Sequence, residues 1–111
     1  MSHSEREYLQ HILAEVQFLL TEIAHHTKAE FLASELMKRA AVRSLEIIGE
    51  AAKKVPADFR AAHSDIEWSL MAGMRDRLIH AYFGVDYDIV WNVLEAKLPS
   101  LQSRLQDLIG P

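Results

Sequence analysis

The sequence predicts an all-α protein, an up-and-down four-helix bundle with a short extra helix or turn. Three observations carry this. Apolar residues recur at spacings of three and four along most of the chain, the period of a helix that buries one face. Hydroxyl and carboxylate pairs of the kind that open helices are spread through the sequence. No segment sustains the two-residue alternation of a half-buried strand.

The first helix is expected near 5–25. Ser4 and Glu7 have the spacing of a capping box, and Tyr8, Ile12, Val16, Leu19, Leu20 and Ile23 form one apolar face. His25 and His26 suit its last turn. Thr27 with Glu30 opens the second helix, expected near 29–54, with Leu36, Ala40, Ile47, Ile48 and Ala51 inward. Ser34 is itself a good cap and marks where that helix can break. Lys53 and Lys54 followed by Pro56 close it, and a short turn or helix fills 57–62. Ser64 with Glu67 opens the third long helix, 65–83, which carries Ile66, Leu70, Met74 and Leu78 and stops at Gly84. Asp86, followed by Asp88, caps the last, 87–109, with Ile89, Val93, Leu101, Leu105 and Leu108 on one face. Pro99 should kink or split it, because proline removes a backbone donor and crowds the preceding turn. Short connections favour antiparallel neighbours.

At 111 residues the chain is expected to be one domain, 1–111. The absence of cysteine removes disulfides, thiolate nucleophiles and Cys-based metal centres, and suits a reducing compartment. No apolar run approaches the roughly 18 residues of a membrane span, and Met1–Glu5 lacks the regions of a signal peptide. A cytoplasmic location and no membrane partner are therefore expected. Twelve basic and 16 acidic residues give a net charge of −4, which counts against broad coating of nucleic acid, and no DNA partner is expected. Residues 1–27 hold one basic and four acidic side chains, 28–80 hold nine and eight, and 81–111 hold two and four. Positive charge is thus concentrated in the middle. Trp68, Tyr82, Phe83, Tyr87 and Trp91 crowd the joint between the last two helices, and read equally as a homodimer surface or as core aromatics.

The densest polar cluster is Met74-Arg75-Asp76-Arg77-Leu78-Ile79-His80-Ala81-Tyr82-Phe83-Gly84. On a continuous helix Asp76 and His80 share a face, so the carboxylate can orient the imidazole. Arg75 and His80 are five apart and diverge by roughly 140°. One substrate meets both only if the helix bends or a second subunit completes the site, and a dimer axis here would set one subunit's Arg75 beside the other's His80. Such a cleft suits a phosphodiester: guanidinium grips phosphate oxygens and an imidazole moves the proton of a ribose 2′-hydroxyl. The competing reading of Arg-Asp-Arg is a solvated, salt-bridged face. Arg39, Arg43, Glu46, Glu50 and Lys54 recur along the second helix and form either a phosphate-positioning edge or a row of ordinary ion pairs, with Arg77 and Lys53 as auxiliary cations. Glu22-x-x-His25 is half of a di-iron motif without a second copy, and His63 with Glu67 reads as a helix-start pair. No metal or cofactor is expected.

Arg75-x4-His80-x-Tyr82, followed by Gly84-Val85-Asp86 and Ile89-Val90-Trp91, closely resembles the signature of the HepT-like toxins of the HEPN superfamily. The earlier run from Ser44 to Pro56 resembles the same family's second long helix, and the likeness spans roughly residues 5–110. It implies a HEPN-like, all-helical homodimer acting as a metal-independent endoribonuclease, the toxin of a type VII-like toxin–antitoxin pair that cleaves tRNA or mRNA. It implies that Arg75 and His80 are the catalytic pair, with Asp76 as the polar residue after the motif arginine. It further implies that Tyr82 receives AMP from a minimal nucleotidyltransferase antitoxin. Arg77, Arg43 and Lys54 are candidate contacts to the RNA substrate. A second reading of the same residues is a noncatalytic helical adaptor, a nucleotide-binding subunit that partners the nucleotidyltransferase.

Overall fold

The computed structural model describes residues 1–80 and 84–110, and among these every regular element is helical. Helix α1 spans His3–Ile23, α2 Lys28–Ala33, α3 Glu35–Lys54, α4 Ala57–Ala62, α5 Trp68–His80, α6 Tyr87–Asn92 and α7 Leu98–Ile109, with one π turn, Val93–Lys97, joining the last two. Long helices α1 and α3 pack side by side, α5 lies along α3, and α7 lies along α1.

Capping follows the expected chemistry with two shifts. The box that opens α1 is Ser2 with Glu5: the Ser2 hydroxyl accepts from the Glu5 amide at 3.1 Å and the Glu5 carboxylate accepts from the Ser2 amide at 2.8 Å. Ser4 and Glu7 have the same spacing, but the helix both starts and ends two residues earlier than expected, which leaves its apolar face unchanged and puts His25 and His26 beyond its last turn. Thr27 and Glu30 form the box expected of them. Ser34 breaks the second helix in two, and its hydroxyl caps α3 by accepting from the Met37 amide at 3.1 Å. Val55 leaves α3 extended, as the residue before Pro56 must.

Helix α5 begins at Trp68, three residues later than expected, so Ser64 sits in a turn and does not open it. Local capping loses here to tertiary anchoring, since the Trp68 ring is 6% exposed and its indole N–H donates to the His63 carbonyl at 3.0 Å. His63 also stacks on Phe59 with ring centroids 4.4 Å apart, while Glu67 faces Lys97, so these two do not pair with each other. Asp86 caps α6 as expected, accepting from the Asp88 and Ile89 amides. The helix expected over 87–109 is divided, as anticipated, into α6 and α7 by a π turn that ends two residues before Pro99. The Leu98 amide reaches back five residues to the Val93 carbonyl, a widened turn that accommodates the donor proline lacks.

The core is the buried stripe Leu9, Ile12, Val16 and Leu19 of α1 against Leu45, Ile48 and Ala52 of α3 and Leu94, Leu98 and Leu105 from the C-terminal helices. Phe31 of α2 plugs one end, with its ring centroid 5.4 Å from that of Trp91 and 6.4 Å, edge-on, from that of Tyr87. Trp68 and Trp91 are thus core side chains of this chain, which settles for those two rings the choice between core and dimer surface. Tyr82 and Phe83 lie outside the described residues. Among the described residues no helix is long and apolar enough to cross a membrane.

Candidate active site

The site is built where α3 and α5 come closest. Gly49 on α3 permits the approach: a Cβ there would run into the Arg75 Cβ and lie 2.6 Å from the Met71 carbonyl oxygen. Only a residue without a side chain lets the stem of Arg75 rest on the α3 backbone. The guanidinium, 25% exposed, is then held from two sides: Nη2 meets Glu50 Oε2 at 3.0 Å and Nη1 donates to Asp76 Oδ1 at 3.0 Å. Lys53 Nζ donates to the same Asp76 oxygen at 3.0 Å.

Two cations on one carboxylate oxygen define the electrostatics. The hydrogen bond from Lys53 first, and that from Arg75 second, hold the Asp76 carboxyl below its usual range. Asp76 is therefore committed to Arg75 and Lys53. This corrects the expectation that its carboxylate orients His80. The imidazole is held instead by the main chain of the same residue, with His80 Nδ1 2.7 Å from the Asp76 carbonyl oxygen. A carbonyl only accepts, so Nδ1 carries the proton in that bond and the neutral ring presents an unprotonated Nε2 to solvent.

Helix α5 is continuous from Trp68 to His80, so the divergence expected of Arg75 and His80 is real. Arg75 lines a shallow cleft of about 310 Å³, with Ile79 beside it, while His80 is exposed and outside its walls. From α3 the cleft takes Arg43, Glu46, Glu50 and Lys54, and from α1 Tyr8 and His11. Of the auxiliary cations, Arg43 and Lys54 thus join Arg75. Arg39 turns away to Glu35 at 3.8 Å, Lys53 is spent on Asp76, and Arg77 is exposed outside the cleft. Tyr8 and His11 are the residues sequence reasoning missed as site candidates. The four-residue phase of α1 and α3 shows which face each helix presents, but not that these faces flank one groove.

Fold and site together define a class: an all-helical protein that carries, on one helix, a buried-stem arginine in a cation-lined cleft and an exposed imidazole with a fixed tautomer. Residues 9–108 match the model of the family described as Ribonuclease HepT-like, and the chain belongs to that family. It is 44% identical over 104 residues to a protein named as a putative RNase from Caldanaerobacter subterraneus subsp. tengcongensis, covering 94% of this chain and 93% of that one. It is 39% identical over 108 residues to a probable ribonuclease HepT from Thermococcus cleftensis, covering 97% and 98%. A third relative, named as a putative RNase of Methanocaldococcus jannaschii, is 36% identical over 104 residues, 94% of this chain and 86% of that one. No solved structure matches the chain.

Proposed function

We propose that this chain is a metal-independent endoribonuclease, the toxin of a type VII-like toxin–antitoxin pair, working as a homodimer in the cytoplasm. Membership of a ribonuclease family supports the reaction class. The observation that carries the mechanism is the division of labour on α5, with Arg75 clamped by carboxylates and His80 clamped by a carbonyl.

In this reading His80 Nε2 removes the proton of a ribose 2′-hydroxyl. The 2′-oxygen attacks phosphorus, the bond to the 5′-oxygen breaks, and the products are a 2′,3′-cyclic phosphate and a 5′-hydroxyl that takes up a proton. Arg75 stabilises charge on the non-bridging oxygens. Asp76 is a positioning residue for both, through its side chain to Arg75 and its carbonyl to His80. Because these two point apart within one chain, a second copy is proposed to bring one subunit's Arg75 beside the other's imidazole. Arg43 and Lys54 hold neighbouring phosphates, and Arg77 is a further RNA contact. Tyr82 is proposed as the acceptor of AMP from a minimal nucleotidyltransferase: its oxygen attacks the α-phosphorus of ATP, pyrophosphate leaves and the phenolic proton is released.

The adaptor reading has one observation in its favour, which is that Glu50 and Asp76 already neutralise Arg75. Incubating the protein with total RNA and tRNA in EDTA decides between them. Wild type is expected to cleave, and His80→Ala and Arg75→Ala to lose about a hundredfold or more of the rate. Equal cleavage by all three, or none by wild type, overturns the ribonuclease assignment.

A further inference from the structure

The cleft has two chemically different walls, and only one of them is cationic. On the α3–α5 side Arg43, Arg75 and Lys54 sit among Glu46 and Glu50, and with Glu50 bound to Arg75 the wall keeps a surplus of one positive charge. Arg43 and Lys54 are 11 residues apart on α3, about 16 Å along its axis, with the Glu50–Arg75 pair between them. That is a track for a run of phosphates. The facing α1 wall contributes two rings, Tyr8 and His11, at i and i+3 on one face. His11 is exposed, whereas Tyr8 is half-buried with its body against the core.

A nucleic-acid strand has the same two-sided chemistry, charge along the backbone and flat faces on the bases. Unpaired bases are held by stacking on aromatic side chains, among them Tyr and His, while a basic wall follows the phosphates. We propose that Tyr8 and His11 form a nucleobase-binding wall, so that an unpaired RNA segment lies in this cleft with its bases toward α1 and its phosphates toward Arg43, Arg75 and Lys54. A duplex, whose bases are stacked on each other, gives this wall nothing to hold. The inference rests on the ribonuclease reading and adds a substrate-binding element outside the α5 motif.

The test uses His80→Ala protein, which binds without cutting, and a fluorescent single-stranded RNA of about ten nucleotides beside a blunt duplex of the same sequence. Anisotropy is expected to show tighter binding of the single strand. Adding His11→Ala, or Tyr8→Leu with its fold checked by circular dichroism, should weaken single-strand binding about tenfold and leave duplex binding unchanged, while Tyr8→Phe keeps it. Unchanged single-strand affinity in both variants overturns the base wall. So does an equal loss for single strand and duplex, which would mark a general charge or folding effect. Cleavage by wild-type protein, scored in parallel, separates the two ideas: if it cuts RNA and the variants bind normally, the ribonuclease stands and the wall does not.

Discussion

Asp76 shows how one residue holds two neighbours, Arg75 and His80, through different atoms. Spacing alone places its carboxylate and His80 on one face, and that much was legible. What was not legible is the competition: Lys53, 23 residues away in sequence, and the adjacent Arg75 both reach Asp76 Oδ1, and bonds from these permanently charged donors are the stronger ones for a carboxylate. Because these bonds lower the native pKa of Asp76, they stabilise the fold fully at pH above the usual carboxylate range. That contribution is lost as pH falls through the lowered native value. Removing the larger cause should raise it. In Lys53→Met, carboxyl-detected NMR titration is expected to move the Asp76 midpoint upward toward the ordinary range; an unmoved midpoint would show that Lys53 does not hold this carboxylate in solution.

At the level of helices, boundaries were readable where a side chain acts on its own backbone, as with Thr27, Ser34 and Asp86. They were misread where a distant contact decides, as at Trp68, or where two equivalent boxes overlap, as at Ser2 and Ser4. The α3–α5 contact is of the second, distant kind, and Gly49 is its hinge point. Mid-helix glycine costs about 1 kcal/mol relative to alanine, so Gly49→Ala would stabilise an isolated α3. In the folded chain the new methyl meets the Arg75 Cβ and the Met71 carbonyl, and overpacking of this kind costs about 1–3 kcal/mol. The expected result is a lower midpoint in urea unfolding together with a loss of RNA cleavage larger than the fraction unfolded explains, because Arg75 is the residue displaced. Gly73, whose Cβ position is open, supplies the control: Gly73→Ala should keep full stability.

Across the whole molecule, a net charge of −4 and a nucleic-acid substrate are compatible only if binding is local. The surplus of acid lies at the two ends of the sequence, while the cleft gathers Arg43, Lys54 and Arg75 from the segment 28–80 between them. Each phosphate neutralised by a cation lowers the slope of log affinity against log salt by about 0.7 for a single strand. Three contacts in the cleft therefore predict a slope near −2, which Arg77 as a fourth contact steepens to about −3. A protein that coats RNA with a basic face gives a much steeper one. The measurement belongs on the proposed dimer, so light scattering should first return about twice the 12.7 kDa of one chain. Arg43→Ala and Lys54→Ala should then each flatten the slope by about 0.7 while leaving the mass unchanged. A slope of this size that ignores both substitutions would move the binding surface away from this cleft. A slope of about −5 or steeper would mean that cations outside it, beyond Arg77 alone, carry most of the contact.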